Sequence, residues 1–170
     1  MVLSTILAGL GSNLGDRLPN LQQGVEALRR TGFALEAVSS VYQTEPVDCP
    51  DPLLWFLNCA VRLETRLGPW EALRAFHEVE ELAGRRRPYR HAPRTLDLDL
   101  LFYGEGVYRT PELEIPHPRL AGRRFVLVPL AEIAPHFFHP ELGFTIEELL
   151  ARCPDTGRVE RYCSFPVSCL

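Results

Sequence analysis

Between Thr95 and Tyr103 the chain reads Thr-Leu-Asp-Leu-Asp-Leu-Leu-Phe-Tyr, an alternation that calls for a strand and sets its orientation. Successive side chains of a strand point to opposite faces, and residues two apart share a face at about 6.5–7 Å. Leu96, Leu98 and Leu100 therefore turn towards a core, while Asp97 and Asp99 project together from the other side. Two like charges held side by side are destabilising unless something meets them. A hard divalent cation, bound by carboxylate oxygens with water and phosphate in its other positions, is one answer and suits magnesium. An exposed strand face paired with arginines is the other, and the aspartates alone leave both open.

Strand and helix patterns alternate around this segment. Ser4 to Leu10 is an apolar run ended by glycines, and Leu18, Leu21, Val25 and Leu28 then recur at helical spacing with Pro19 near the start. Phe33, Leu35 and Ala37 alternate ahead of Ser39-Ser40-Val41-Tyr42, and Phe56 to Thr65 alternates again. The loop between them, Thr44 to Pro52, is rich in proline and acid and is expected to be functional. Gly68-Pro69 opens a second helix whose Leu73, Phe76, Val79 and Leu82 read as one apolar stripe, closed by Gly84. Residues 85 to 94 lack periodicity and read as a mobile loop. Pro116 to Leu120 is a turn, Arg123 to Ile133 is either strand or helix, and Thr145 with Glu148 forms a capping box before a late helix. The order β-α-β-β-α-β predicts an α+β, ferredoxin-like fold: an antiparallel sheet with two helices packed on one face, plus C-terminal additions. Residues 1–153 are expected to form one domain, with 154–170 a tail of unassigned role.

The charge balance excludes several partners. A net charge of −4 argues against nucleic acid or an anionic membrane as the main partner. No stretch reaches the roughly 18 apolar residues that span a bilayer, and the first residues carry no basic leader, so a cytoplasmic protein is expected; a monomer is expected as well. Cys49, Cys59, Cys153, Cys163 and Cys169 form no C-x-x-C pair and read as reduced thiols. Gly9, Gly11 and Gly15 miss the dinucleotide spacing by one residue and read as a tight turn. His136 and His139 lack a third ligand for zinc, and Ser39-Ser40 lacks the setting of a hydrolase nucleophile.

Arginines bracket the aspartate strand. Five lie within residues 85–94, and His117, Arg119, Arg123 and Arg124 follow the strand. Carboxylates for a metal beside cations for a polyphosphate are what phosphoryl transfer requires, because the protein must align the reacting oxygens and neutralise spreading charge. A surface laced with salt bridges has the same composition, and an RNA-binding sheet or a regulatory ligand-binding domain has the same element order.

Six segments in order carry a resemblance: Gly11-Ser-Asn-Leu-Gly-Asp16, Ser39-Ser-Val-Tyr-Gln-Thr-Glu-Pro46, Phe56-Leu-Asn58, Pro93-Arg-Thr-Leu-Asp-Leu-Asp-Leu-Leu101, Pro116-His-Pro-Arg-Leu120 and Arg123-Arg-Phe-Val-Leu127. Over roughly residues 3 to 150 the chain resembles the 6-hydroxymethyl-7,8-dihydropterin pyrophosphokinases of folate biosynthesis. The resemblance implies transfer of the diphosphate of ATP to the pterin hydroxymethyl group, with release of AMP. It implies two magnesium ions on Asp97 and Asp99, with Asp97 also near the pterin. It places Arg85 and Arg94 on the transferring diphosphate, with Glu80, His117 and Arg123 around ATP. Thr44, Pro46, Val47, Phe56, Asn58 and Phe125 match the pterin pocket. Two positions depart from the family pattern: His91-Ala92 stands where tryptophan and glycine are common, and Phe56 stands where tyrosine is common.

Overall fold

The computed structural model describes residues 2–47, 51–84, 89 and 92–166. In chain order the elements are β1 (Ser4–Ser12), α1 (Arg17–Arg30), β2 (Phe33–Val38), β3 (Val41–Thr44), β4 (Phe56–Thr65), α2 (Pro69–Leu82) and β5 (Asp97–Tyr103). There follow β6 (Tyr108–Arg109), β7 (Glu114–Ile115), a 3-10 turn (Leu120–Gly122), α3 (Arg124–Ile133), α4 (Ile146–Arg152) and β8 (Val159–Cys163). The main sheet runs β5-β1-β4-β3-β8, with β2 beside β3 on the same edge of β4, and its pairs are antiparallel. This is the interleaved β-α-β-β-α-β arrangement expected from the sequence, with β8 added at one edge. β6 and β7 form a separate small hairpin.

One face carries the expected two helices. Leu21, Val25 and Leu28 of α1 and Ala72, Phe76 and Val79 of α2 pack on Ile6, Ala8, Leu10, Val61, Leu98 and Leu100. Gly24 allows the close approach: a Cβ there would lie 2.9 Å from Leu96 Cδ2. The apolar stripe of α2 differs from the sequence reading, because Leu82 is 81% exposed. A strict three-residue spacing falls short of a helical turn by about 60° per step, so Leu82 ends opposite Leu73. The buried set runs instead through Ala72, Ala75, Phe76, Val79 and Glu80.

The expectation of a single covered face is incomplete. Val126, Leu127 and Leu130 of α3 and Ile146 and Leu149 of α4 pack on Leu7, Ala60, Leu101 and Phe102 across the opposite face. The segment from Arg123 to Ile133 is thus helix rather than strand beyond its first residue, and burial outweighs the N–H that Pro129 removes from it. Leu101 is an extra residue in β5 against β1, since Leu7 pairs Phe102 and Ala8 pairs Leu100. That bulge breaks the alternation and turns both Leu101 and Phe102 towards α3 and α4. The capping box is present, with Thr145 Oγ1 accepting the Glu148 N–H and Glu148 Oε2 accepting the Thr145 N–H. Among the described residues no helix is long and apolar enough to cross a membrane.

Between β2 and β3 the ladder on β4 is completed by a side chain. Ser39 N–H donates to the Ala60 carbonyl, and Ser39 Oγ accepts the Ala60 N–H, both at 2.9 Å. Ser39→Ala leaves that buried N–H without an acceptor, so thermal unfolding is expected to show a loss of about 1–3 kcal/mol. No loss at all contradicts the bridging role.

Candidate functional site

α3 and α4 cover only part of their face, and the remainder is open. There, over the start of β5, the end of β1, the start of β4 and the end of β3, lies a cavity of about 480 Å³. Gly9 and Gly11 form its floor opposite Asp99 and Asp97, because bare backbone between β4 and β5 leaves the carboxylates uncovered. These two glycines sit in strand rather than in a turn, which corrects the sequence reading; Gly15, at φ +69°, is the one that turns.

The carboxylates are held from several sides. Arg94 Nη1 donates to Asp97 Oδ2 at 2.6 Å, with both side chains less than one-fifth exposed. Asn13 secures Arg94 reciprocally: its N–H donates to the Arg94 carbonyl at 3.1 Å, and its Oδ1 accepts the Arg94 N–H at 2.7 Å. Glu80, buried on α2, accepts the Leu98 N–H at the free edge of β5 at 2.8 Å. Burial first, and then repulsion from Asp97, pushes the Asp99 carboxyl up to about 6, against the opposing pull of Arg123, Arg94 and Arg119. His117 is driven the other way, down to about 4, by burial and then by Arg123 and Arg119. It is therefore neutral at pH 7. Its Nδ1 accepts the Arg119 N–H at 3.2 Å, which assigns the ring proton to Nε2.

The other end of the cavity suits a flat polar ring. Asn58 Nδ2 donates to Thr44 Oγ1 at 2.7 Å, and both residues are buried. Phe56 and Phe125 line the same cavity, with the Arg123 guanidinium 5.6 Å from the Phe125 ring centre. A Cβ on Gly11 would stand 2.6 Å from Asn58 Oδ1, so that glycine reserves the amide's place.

Thr44, Val47, Phe56, Asn58, Glu80, Arg94, Asp97, Asp99, His117, Arg123 and Phe125 all line this cavity. Pro46 lies between two lining residues, Glu45 and Val47, without lining it, and Arg85 lies outside the described residues together with His91. The sequence reading missed Gly9, Gly11 and Asn13, and it missed Glu112 and Glu114 around the short hairpin. The alternation on the two neighbouring strands was the available signal for the glycines. His136 and His139 do not converge: His139 Nδ1 accepts the Glu141 and Leu142 N–H groups, while His136 faces Glu147. Cys59, Cys153 and Cys163 are free thiols; Cys49 and Cys169 lie outside the described residues.

Residues 7–135 match the family model described as 7,8-dihydro-6-hydroxymethylpterin-pyrophosphokinase. The chain belongs to this family. The pyrophosphokinase of Pseudomonas aeruginosa is 38% identical over 94% of this chain and 98% of its own length. That of Bacillus subtilis is 45% identical over 73% of this chain and 74% of its own length. This chain spans only part of longer relatives: 23% of a Dictyostelium discoideum folic acid synthesis protein, at 34% identity, and 25% of a mitochondrial folate synthesis bifunctional protein of pea, at 41%. The Plasmodium falciparum HPPK-DHPS structure with pterin and p-hydroxybenzoate matches at TM-score 0.69 and 15% identity, covering 89% of this chain and 42% of that one. At that identity it supports the pyrophosphokinase fold alone.

Proposed function

We propose that this chain transfers the diphosphate of ATP to the hydroxymethyl group of 6-hydroxymethyl-7,8-dihydropterin, releasing AMP, as an ATP-dependent diphosphokinase of folate biosynthesis. The observation that carries the reading is the sharing of one cavity by the Asp97–Asp99 pair with its cations and the Asn58–Phe56–Phe125 slot. An RNA-binding sheet of this strand order needs aromatic side chains on its neighbouring central strands; here the paired strands β1 and β5 meet the cavity with glycines and aspartates. Both substrates are small and the site is built from one chain, so a cytoplasmic monomer is sufficient.

The donors present fit magnesium. Asp97 and Asp99 offer only hard oxygen ligands, burial and then repulsion from Asp97 raise Asp99 against the pull of three arginines, and no cluster of three His, Cys, Asp or Glu side chains among the described residues offers a closed metal cage. Asp97 and Asp99 would hold the two magnesium ions, which would supply neutralisation of charge on the triphosphate.

The chain's own groups do the rest. Asn58 and Thr44 hold the ring edge and Phe125 its face, which brings the hydroxymethyl oxygen in line with the β-phosphorus near Asp97. That oxygen bonds to the β-phosphorus, the bond from β-phosphorus to the bridging oxygen breaks, AMP leaves with the electron pair, and the hydroxyl proton passes to water. Arg94 and Arg123 take up charge developing on the transferred group, and neutral His117 donates its Nε2–H to a phosphate oxygen. Arg85 is assigned to the diphosphate and Glu80, through the β5 edge, to the nucleotide side.

ATP consumption is expected to require reduced pterin and magnesium together; consumption indifferent to pterin overturns the reading. Gly11→Ala places its Cβ against Asn58 Oδ1. The KM for pterin is expected to rise about tenfold with kcat within about threefold, a tenfold change being about 1.4 kcal/mol. An unchanged KM contradicts the assignment of Asn58.

A further inference from the structure

β8 lies beyond the span matched to the family model, yet the turn that precedes it touches two walls of the cavity. Asp155 Oδ2 accepts the Arg124 N–H at 2.9 Å, and its Oδ1 accepts the Gly157 N–H at 2.8 Å. The first bond closes the N-terminus of α3, which has no capping side chain of its own because Arg123 occupies its N-cap position. That end of α3 carries Arg123 and Phe125 to the cavity.

The same turn grips a second wall. The Arg158 carbonyl accepts the Glu45 N–H at 3.1 Å, Glu45 Oε2 accepts the Arg158 N–H at 2.9 Å, and Thr44 pairs with Val159. The Arg158 guanidinium lies 5.1 Å from the Trp55 ring centre, just ahead of Phe56, and the Trp55 carbonyl is held in turn by Arg17 Nη1. Thr44, Glu45 and Val47 line the cavity together with Phe125.

We propose that Asp155 is a positioning residue for the pterin pocket: its two carboxylate oxygens couple the N-terminus of α3 to the turn paired with Glu45, and so set the separation of the walls that hold the ring. The unit assigned to residues 1–153 thus takes a functional brace from the segment behind it. This role rests on the pterin reading of the site. A simple helix cap has different consequences, because it lowers stability and leaves substrate affinity alone.

The test compares D155A and D155N with the wild-type chain, by steady-state kinetics with ATP, magnesium and the reduced hydroxymethyl pterin, and by thermal unfolding. D155A is expected to raise the pterin KM about tenfold and the ATP KM less than about threefold, with kcat within about threefold. D155N keeps an oxygen for one of the two N–H groups and is expected to raise the pterin KM about threefold. If D155A does not fold, D155N decides alone. A pterin KM unchanged in the folded variants, whatever their melting temperatures, overturns the role of Asp155 while leaving the proposed activity intact. A wild-type chain that does not turn over the pterin overturns the activity and this role with it.

Discussion

Asp99→Asn is expected to reduce turnover by about a thousandfold while leaving pterin affinity within about threefold. The substitution keeps the shape of the side chain and removes one of two charges that hold the metal under the phosphates; a thousandfold loss is about 4 kcal/mol of barrier. The same change should stabilise the metal-free fold at pH 7.5. Asp99 is pushed from an ordinary 3.8 up to about 6, so its contribution to stability is fully present below pH 3.8 and is lost as pH rises through about 6. At pH 7.5 the ionised group is a cost of about 3 kcal/mol, which asparagine removes. Metal-free Asp99→Asn should therefore melt above the wild type at pH 7.5, with the difference fading towards pH 4. Unchanged turnover, or a lower melting temperature at pH 7.5, contradicts this account of the carboxylate pair.

Arg94→Ala carries the second large effect. The Asn13–Arg94 backbone bonds survive the substitution, so the strand entrance keeps its course, but Asp97 loses the guanidinium at 2.6 Å and the transferring group loses a cation assigned to it. Turnover should fall about a hundredfold or more, about 3 kcal/mol or above, and much of the loss should persist at saturating ATP. Arg94→Lys should restore less than about tenfold, since a single ammonium cannot reproduce a planar fork that meets carboxylate and phosphate oxygens together. Near wild-type turnover in Arg94→Ala removes Arg94 from the reaction.

What was legible in the sequence followed periodicity. Leu96, Leu98 and Leu100 alternate with Asp97 and Asp99, and all three leucines lie in the α1–α2 core. The same rule misled in α2, where a three-residue spacing looked like a stripe but drifts around the helix and leaves Leu82 in solvent. It was silent about the floor of the site, because Gly9 and Gly11 have no side chain to show a period and matter through the Asn58 amide and the neighbouring carboxylates. Tertiary capping was also out of reach: nothing local marks Asp155 as the partner of a helix that begins at Arg124. The cover over the second face depended on whether Arg123 to Ile133 was helix or strand, and only packing against Leu7, Ala60 and Phe102 decides that. Arg85, taken from the family resemblance, falls outside the described residues, so its place on the diphosphate rests on that resemblance.

Mass spectrometry of one reaction mixture tests the central claim, that this open sheet face moves a diphosphate as a unit onto a hydroxymethyl oxygen. With ATP, magnesium and the reduced pterin, the account predicts AMP and a pterin heavier by two phosphates in equal amounts. ADP with a pterin heavier by one phosphate, or ATP hydrolysis with the pterin unchanged, contradicts it.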